Sequence, residues 1–264
     1  MVVVRAKKNL GQHFLKDTDI ALQIVSSLKS NCSNVLEIGP GMGVLTQFLF
    51  QSENYKTVAI EIDRESIGYL QTKFPEFSDR FISGDFLQTD LRELYGGEKV
   101  AVIGNFPYNI STQILFRVME FKDIVPEVVG MFQKEVAQRI ASPPGSKVYG
   151  ITSVLLQAYY TIEYLFTVDE HVFDPPPKVK SAVIRLTRNN VEKLDCDEKL
   201  FVRVVKSCFN QRRKMIRNSL KPVIQDAEFQ HPFLEKRPEQ LSLQEFIELT
   251  QSISHFFTTR EHAI

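Results

Sequence analysis

The sequence predicts an α/β protein: a mostly parallel sheet with helices on both faces and a last strand running antiparallel, followed by a small all-helical C-terminal domain. Three observations carry this. Five short apolar stretches, from residue 34 to residue 132, alternate with helical patterns, the signature of parallel strands joined by crossovers. After the fifth the rhythm changes, and two strand-like stretches are joined by a connection too short to hold a crossover helix, so they should pair antiparallel. Beyond about Arg188 only helical periodicity is left.

In chain order, residues 1–16 read as a flexible basic arm ending in Asn9-Leu10-Gly11-Gln12-His13-Phe14-Leu15. A helix over about Thr18–Leu28 carries Ile20, Leu22, Ile24, Val25 and Leu28 at roughly helical spacing. The strands are Asn34–Ile38, Thr57–Ile60, Arg80–Ser83, Val100–Ile103 and Glu127–Phe132. The first four run into Gly39-Pro40-Gly41-Met42-Gly43, Glu61-Ile62-Asp63, Gly84-Asp85 and Gly104-Asn105. A helix near Lys134–Ala141, a Pro-Pro-Gly break and an apolar helix around Val154–Tyr160 follow. Two further strands, Glu163–Val168 and Ala182–Thr187, flank Asp174-Pro175-Pro176-Pro177. The chain then reads as one helix from Glu198 to Leu220 and a shorter one from Leu243 to about His255. The expected domains are the arm at 1–16, the sheet domain at 17–188 and the helical domain at 189–264.

Composition narrows the class. Hydrophobic residues make up 43% and charged residues 24% of 264, which excludes disorder and collagen-like sequence. No apolar run reaches the ~18 residues of a membrane span, and the first 16 residues lack the apolar core and cleavage site of a secretory leader. Cys32, Cys196 and Cys208 form neither a metal-ligand pair nor an even framework, which favours a reducing cytoplasm. His171, His231, His255 and His262 have no ligand-like spacing, so no metal site is expected, and no Ser or Cys has an evident catalytic partner. A cytoplasmic monomer is the expectation.

Net charge is zero, with 32 basic and 32 acidic residues, but the charges are sorted. Lys199 to Lys221 holds eight cations and no acid, and residues 1–16 hold four more; the remainder has 20 basic and 32 acidic residues. Two basic patches on an acidic body attract a polyanion without making the whole surface adhesive.

A glycine turn after the first strand lets a ligand approach the backbone closely, and an acid at the end of the second can accept bonds from ribose hydroxyls. Gly39 and Glu61 lie 22 residues apart, near the ~20 that this geometry asks for. The pair fits a nicotinamide dehydrogenase nearly as well as a methyltransferase. Asp85 and Asn105 close the next two strands, so four strand ends converge on one edge of the sheet, where open parallel sheets bind ligands.

Asn105-Phe106-Pro107-Tyr108 discriminates between those readings. The Asn105 oxygen and the Phe106 carbonyl can each accept an N–H of the exocyclic amine of a flipped-out base, Pro107 stiffens the turn, and Tyr108 can stack on the ring. Two such acceptors draw the amine toward pyramidal geometry and free a lone pair otherwise delocalised into adenine.

With these residues in view the chain resembles the ribosomal RNA small-subunit adenine N6,N6-dimethyltransferase family of the KsgA type. The likeness rests on Asn9–Leu15, Glu37–Gly43, Glu61–Asp63, Gly84-Asp85 and Gly104–Thr112. It continues in FDPPPKVKSA at Phe173–Ala182 and QRRKMIRNSL at Gln211–Leu220, so it covers nearly the whole chain. It implies a Rossmann-like class I methyltransferase sheet. It further implies that His13, Leu15, Gly39, Glu61, Asp85 and Asn105 contact S-adenosylmethionine, Glu61 at the ribose and Asp85 at the cofactor's adenine amine. The implied substrate is a pair of adjacent adenosines in a hairpin loop near the 3′ end of small-subunit (16S) rRNA, within an immature subunit, with a role in subunit biogenesis. His13 stands where many relatives have Asn.

The basic helix has a reading of its own. At about 100° per residue, Lys199, Arg203, Lys206, Arg213, Lys214 and Arg217 share one wedge, opposite Val204, Val205, Cys208, Phe209, Met215 and Ile216. Such a helix docks its apolar face and offers the cations to RNA phosphates. Arg212 falls on the apolar side and should be paired with a carboxylate or with backbone carbonyls. The rival readings are a large-subunit rRNA adenine methyltransferase of the macrolide-resistance type and a non-catalytic RNA-binding assembly or transcription factor. Gly39-Pro40-Gly41 and the QRRK segment weigh against the first. The intact Asn105–Tyr108 turn weighs against the second.

Overall fold

A computed structural model describes residues 4–225 and 229–261. His262 lies outside the described residues. Nine strands are formed among the described residues: β1 Phe14–Leu15, β2 Asn34–Ile38, β3 Lys56–Glu61, β4 Phe81–Ser83, β5 Val100–Asn105, β6 Glu127–Gln133, β7 Tyr160–Val168, β8 Phe173–Asp174 and β9 Ser181–Arg188. Seven of them form one sheet in the order β4-β3-β2-β5-β6-β9-β7. The pairings from β4 through β6 are parallel, as the alternation predicts; β9 runs antiparallel to β6 and lies beside β7. Val100–Ile103 and Val128–Val129 are fully buried, the continuous apolar reading of parallel strands covered on both faces.

The order reverses beside β2, whose neighbours are β3 and β5. A ligand crevice belongs outside the carboxyl ends at such a switch point. The turn that leaves β2 there is made by Gly39, Gly41 and Gly43, at φ of 69°, 55° and 75°, a left-handed region that other residues enter only at a cost. Asp63 and Asp85 cap the turns after β3 and β4, accepting from the backbone N–H of Glu65 and Leu87.

The chain forms two compact units. One comprises residues 1–137 and 161–188, the other 138–160 and 189–264. The sequence placed 138–160 with the sheet. They instead cluster with the helices, because their apolar residues pack there: Tyr149 meets Phe209 edge-on, with ring centroids 6.1 Å apart, and helix Ile151–Gln157 packs on helix Glu198–Asn210.

Two further expectations are corrected. The arm is tied down from Lys7 onward: its ammonium pairs with Asp63 at 2.6 Å and Glu65 at 2.8 Å, and β1 pairs antiparallel with β8. The single helix Glu198–Leu220 stops at Asn210, turns, and resumes as Ile216–Ser219 and Lys221–Ile224. The turn folds the chain back so that Ile216 and Leu220 are buried, and the Ser207 hydroxyl donates to the Ser219 carbonyl at 2.6 Å. Burial of those side chains outweighs the one continuous hydrogen-bond ladder that the periodicity favoured. The last helix, Leu243–Glu261, is longer than expected.

Candidate active site

The carboxyl ends of β2, β3 and β5, the turn after β4, the arm, and the turn after β5 surround one cleft of about 180 Å³ that is partly open to solvent. His13, Leu15, Gly39, Glu61, Asp85 and Asn105 all line it, as do Phe106, Pro107 and Tyr108. The sequence-derived cofactor set and the catalytic turn are thus brought together.

Glu61 ends β3 almost wholly buried. Its carboxylate accepts from the backbone N–H of Asp63 at 2.9 Å and of Gly41 at 3.2 Å. Burial pushes its pKa up, and those two donors oppose the shift. The bonds fix the carboxylate beside the glycine turn, and lone pairs remain for hydroxyl donors. Ile62, about half exposed, and Leu87 present apolar surface in the same cleft as Asp85.

The Asn105–Tyr108 turn is fixed from within. The Phe106 ring is buried and packs edge-on against Phe132, with centroids 5.2 Å apart. It lies over Gly104 and Gly130, where a Cβ would fall 2.7 Å and 2.4 Å from its ring carbons. The side chain therefore serves the core. Asn105 donates its side-chain N–H to the His13 carbonyl at 2.9 Å, an arrangement that commits the amide nitrogen and leaves the amide oxygen as an acceptor. The Tyr108 ring lies 5.4 Å from the His13 ring, tilted by 30°. His13 Nδ1 bonds the Pro175 carbonyl at 2.7 Å and so must carry the proton in that contact.

Glu37 was quoted within a motif but given no role of its own. It is buried at the cleft floor, accepts the Thr46 hydroxyl at 2.7 Å, and its pKa is pushed up to about 8, chiefly by burial and further by the charge of Glu61. An acid inside the apolar run Val35-Leu36-Glu37-Ile38 was the available signal. Pro175, fixed in place only by long-range folding, had none.

The proposed RNA-contacting cations lie in the helical unit. Lys199, Arg203 and Lys206 are exposed on helix Glu198–Asn210; Arg213 and Lys214 are exposed on the turn after it. Arg217 is exposed on the next short helix but pairs with Glu235 at 2.7 Å. The broken helix means that the six do not form one stripe. Arg212 is half-buried and donates to the Ser146 carbonyl at 3.3 Å, the kind of partner expected for it.

A family model described as ribosomal RNA adenine dimethylase matches residues 3–254. The chain belongs to the ribosomal RNA adenine dimethylase family. Among curated members, the ribosomal RNA small subunit methyltransferase A of Cytophaga hutchinsonii is 59% identical over 96% of this chain and 99% of its own. The protein of the same name from Parabacteroides distasonis is 58% identical over 95% and 94%. Solved structures share the fold. A dimethyladenosine transferase from Plasmodium falciparum superposes with a TM-score of 0.73 at 22% identity, covering 94% of this chain and 98% of that one. The 23S rRNA methyltransferase ErmE does so at 0.66 and 24% identity, over 90% and 99%.

Proposed function

We propose that this chain uses S-adenosylmethionine to dimethylate the N6 amines of two adjacent adenosines in a hairpin loop near the 3′ end of small-subunit (16S) rRNA. It acts in the cytoplasm, as a monomer, on an immature small subunit. The observation that carries the reading is Asn105: its amide nitrogen is engaged by the His13 carbonyl, so its oxygen is the face left for an amine donor.

The cleft suits the donor on the chemistry of its lining. Glu61 and Asp85 accept hydroxyl and amine hydrogens, Ile62 and Leu87 cover a flat ring, and the glycine turn admits a ligand against the backbone. When bound, S-adenosylmethionine supplies an activated methyl group, so no strong base is required of the protein. Asn105 Oδ1 and the Phe106 carbonyl each accept one N–H of the adenine amine and localise its lone pair. Tyr108 stacks on the base and holds it out of the RNA helix. Lys199, Arg203, Lys206, Arg213 and Lys214 hold RNA phosphates and set the register without taking part in the transfer.

The test offers immature small subunits, large subunits and free RNA side by side with labelled methyl donor, then maps the product. Dimethyladenosine at two adjacent positions of the small-subunit RNA is the expected result. Label confined to large-subunit RNA, or NAD binding with no affinity for the methyl donor, overturns the reading.

A further inference from the structure

The Tyr108 hydroxyl and the Ser181 hydroxyl lie 2.5 Å apart, although 73 residues separate them in sequence. Ser181 opens β9 and pairs with Gln133 of β6, so the body of the sheet fixes its backbone. It has no exposed surface. Tyr108, by contrast, sits in a turn whose other side chains are accounted for: Phe106 fills the core, and Asn105 engages the arm. Without a partner for its hydroxyl, the Tyr108 ring would be free to rotate about the bonds that attach it to that turn. His13 limits one side of the ring. Ser181 holds its far end.

We propose that Ser181 is a positioning residue for methyl transfer, which fixes the Tyr108 ring in the orientation that receives the target base. Ser181 touches neither donor nor RNA in this scheme; it acts through the tyrosine. The ring is thereby ordered before the base arrives, so stacking does not have to immobilise a free rotor. The segment FDPPPKVKSA thus supports the target-base platform at two points: the Pro175 carbonyl holds the His13 ring, and Ser181 holds the Tyr108 ring. Burial raises the Tyr108 pKa and the bond to Ser181 opposes that rise, so the phenol stays protonated and able to donate.

The inference rests on the methyl-transfer reading, and its test separates the two. Single-turnover methylation of small subunits is measured for the wild type, Ser181→Ala, Ser181→Thr, Tyr108→Phe and the Ser181→Ala/Tyr108→Phe double variant. Cofactor affinity and thermal midpoint are recorded for each. Loss of one neutral hydrogen bond should lower the Ser181→Ala rate at saturating RNA roughly three- to tenfold. Cofactor affinity should be unchanged, and Ser181→Thr should restore the rate. Tyr108→Phe should lose about as much, and the double variant no more than either, because the two hydroxyls act as one unit. A wild-type rate for Ser181→Ala, or losses that multiply in the double variant, overturns the proposal. If Ser181→Ala is too unstable to assay, a wild-type rate for Tyr108→Phe overturns it and the expected loss supports it. A wild type that methylates no RNA would instead defeat the functional reading itself.

Discussion

Replacing Asn105 with Ala removes the donor that holds the His13 carbonyl and, in the proposed mechanism, an acceptor for the target amine. Loss of one preorganised polar group at a transition state costs about 10²–10³ in rate. Asn105→Ala should therefore lower single-turnover methylation by about that factor, while calorimetry shows a smaller loss of cofactor affinity. Glu37 gives a second expectation. Its pKa moves from an ordinary 4.5 to about 8, so the folded chain retains a proton that the unfolded chain releases. The resulting stability is fully present below about pH 4.5 and is lost as pH rises through about 8. Thermal melts of the wild type should show that decline, and Glu37→Gln should flatten it. Membership of the cleft was legible in the sequence wherever a residue type has a narrow chemical use. Asn105 and Glu61 are of that kind, whereas Ser181 is not, because a serine at the start of a strand says nothing about a tyrosine 73 residues away.

Strands and helices differed in how well they could be read. The strands of the parallel sheet are continuous apolar runs punctuated by glycine or acid, and their observed ends lie close to the expected ones. The helix Glu198–Asn210 followed its periodicity until Asn210, after which tertiary burial of Ile216 and Leu220 decided the path. Periodicity reports which face of a helix is apolar, but it cannot report that a chain doubles back while keeping the same spacing. The pairing of β1 with β8 was also invisible, since two-residue strands carry no alternation. Gly104 on β5 offers a test of strand packing. A Cβ there would lie 2.5 Å from the Ile38 carbonyl on β2, a backbone atom that cannot swing away. Gly104→Ala should destabilise the fold by about 1–3 kcal/mol, measured by denaturant unfolding.

At the scale of the whole molecule, the proposed function gives the sorted charges a division of labour between RNA capture and chemistry. The cleft is lined by Glu37, Glu61 and Asp85 and holds no Lys or Arg, whereas five exposed cations from Lys199 to Lys214 lie in the helical unit. RNA affinity should fall steeply with salt, and each phosphate-contacting charge removed should make the log–log slope shallower by roughly 0.7–0.9. Lys206→Gln and Arg213→Gln should each do so. Arg217→Gln should change the slope less, because Glu235 already offsets that charge. Salt titrations of RNA binding decide this, with calorimetry expected to show the same cofactor affinity in all three variants.

The arm's two attachments differ in kind, and that difference gives a test of how the cleft exchanges its contents. At one end β1 is held by a strand pairing and by the contacts of His13 and Asn105; at the other, Lys7 is held by two ion pairs, of which Glu65 is largely exposed. The pair to Asp63 reaches a buried carboxylate, whereas the exposed pair to Glu65 contributes only about 0–1 kcal/mol and weakens with salt. The arm is therefore hinged at β1 and latched at Lys7. If ligand escape begins at the latch, raising the ionic strength, or changing Lys7 to Gln, should speed cofactor dissociation in stopped-flow measurements, even though no cation contacts the cofactor in the proposed site.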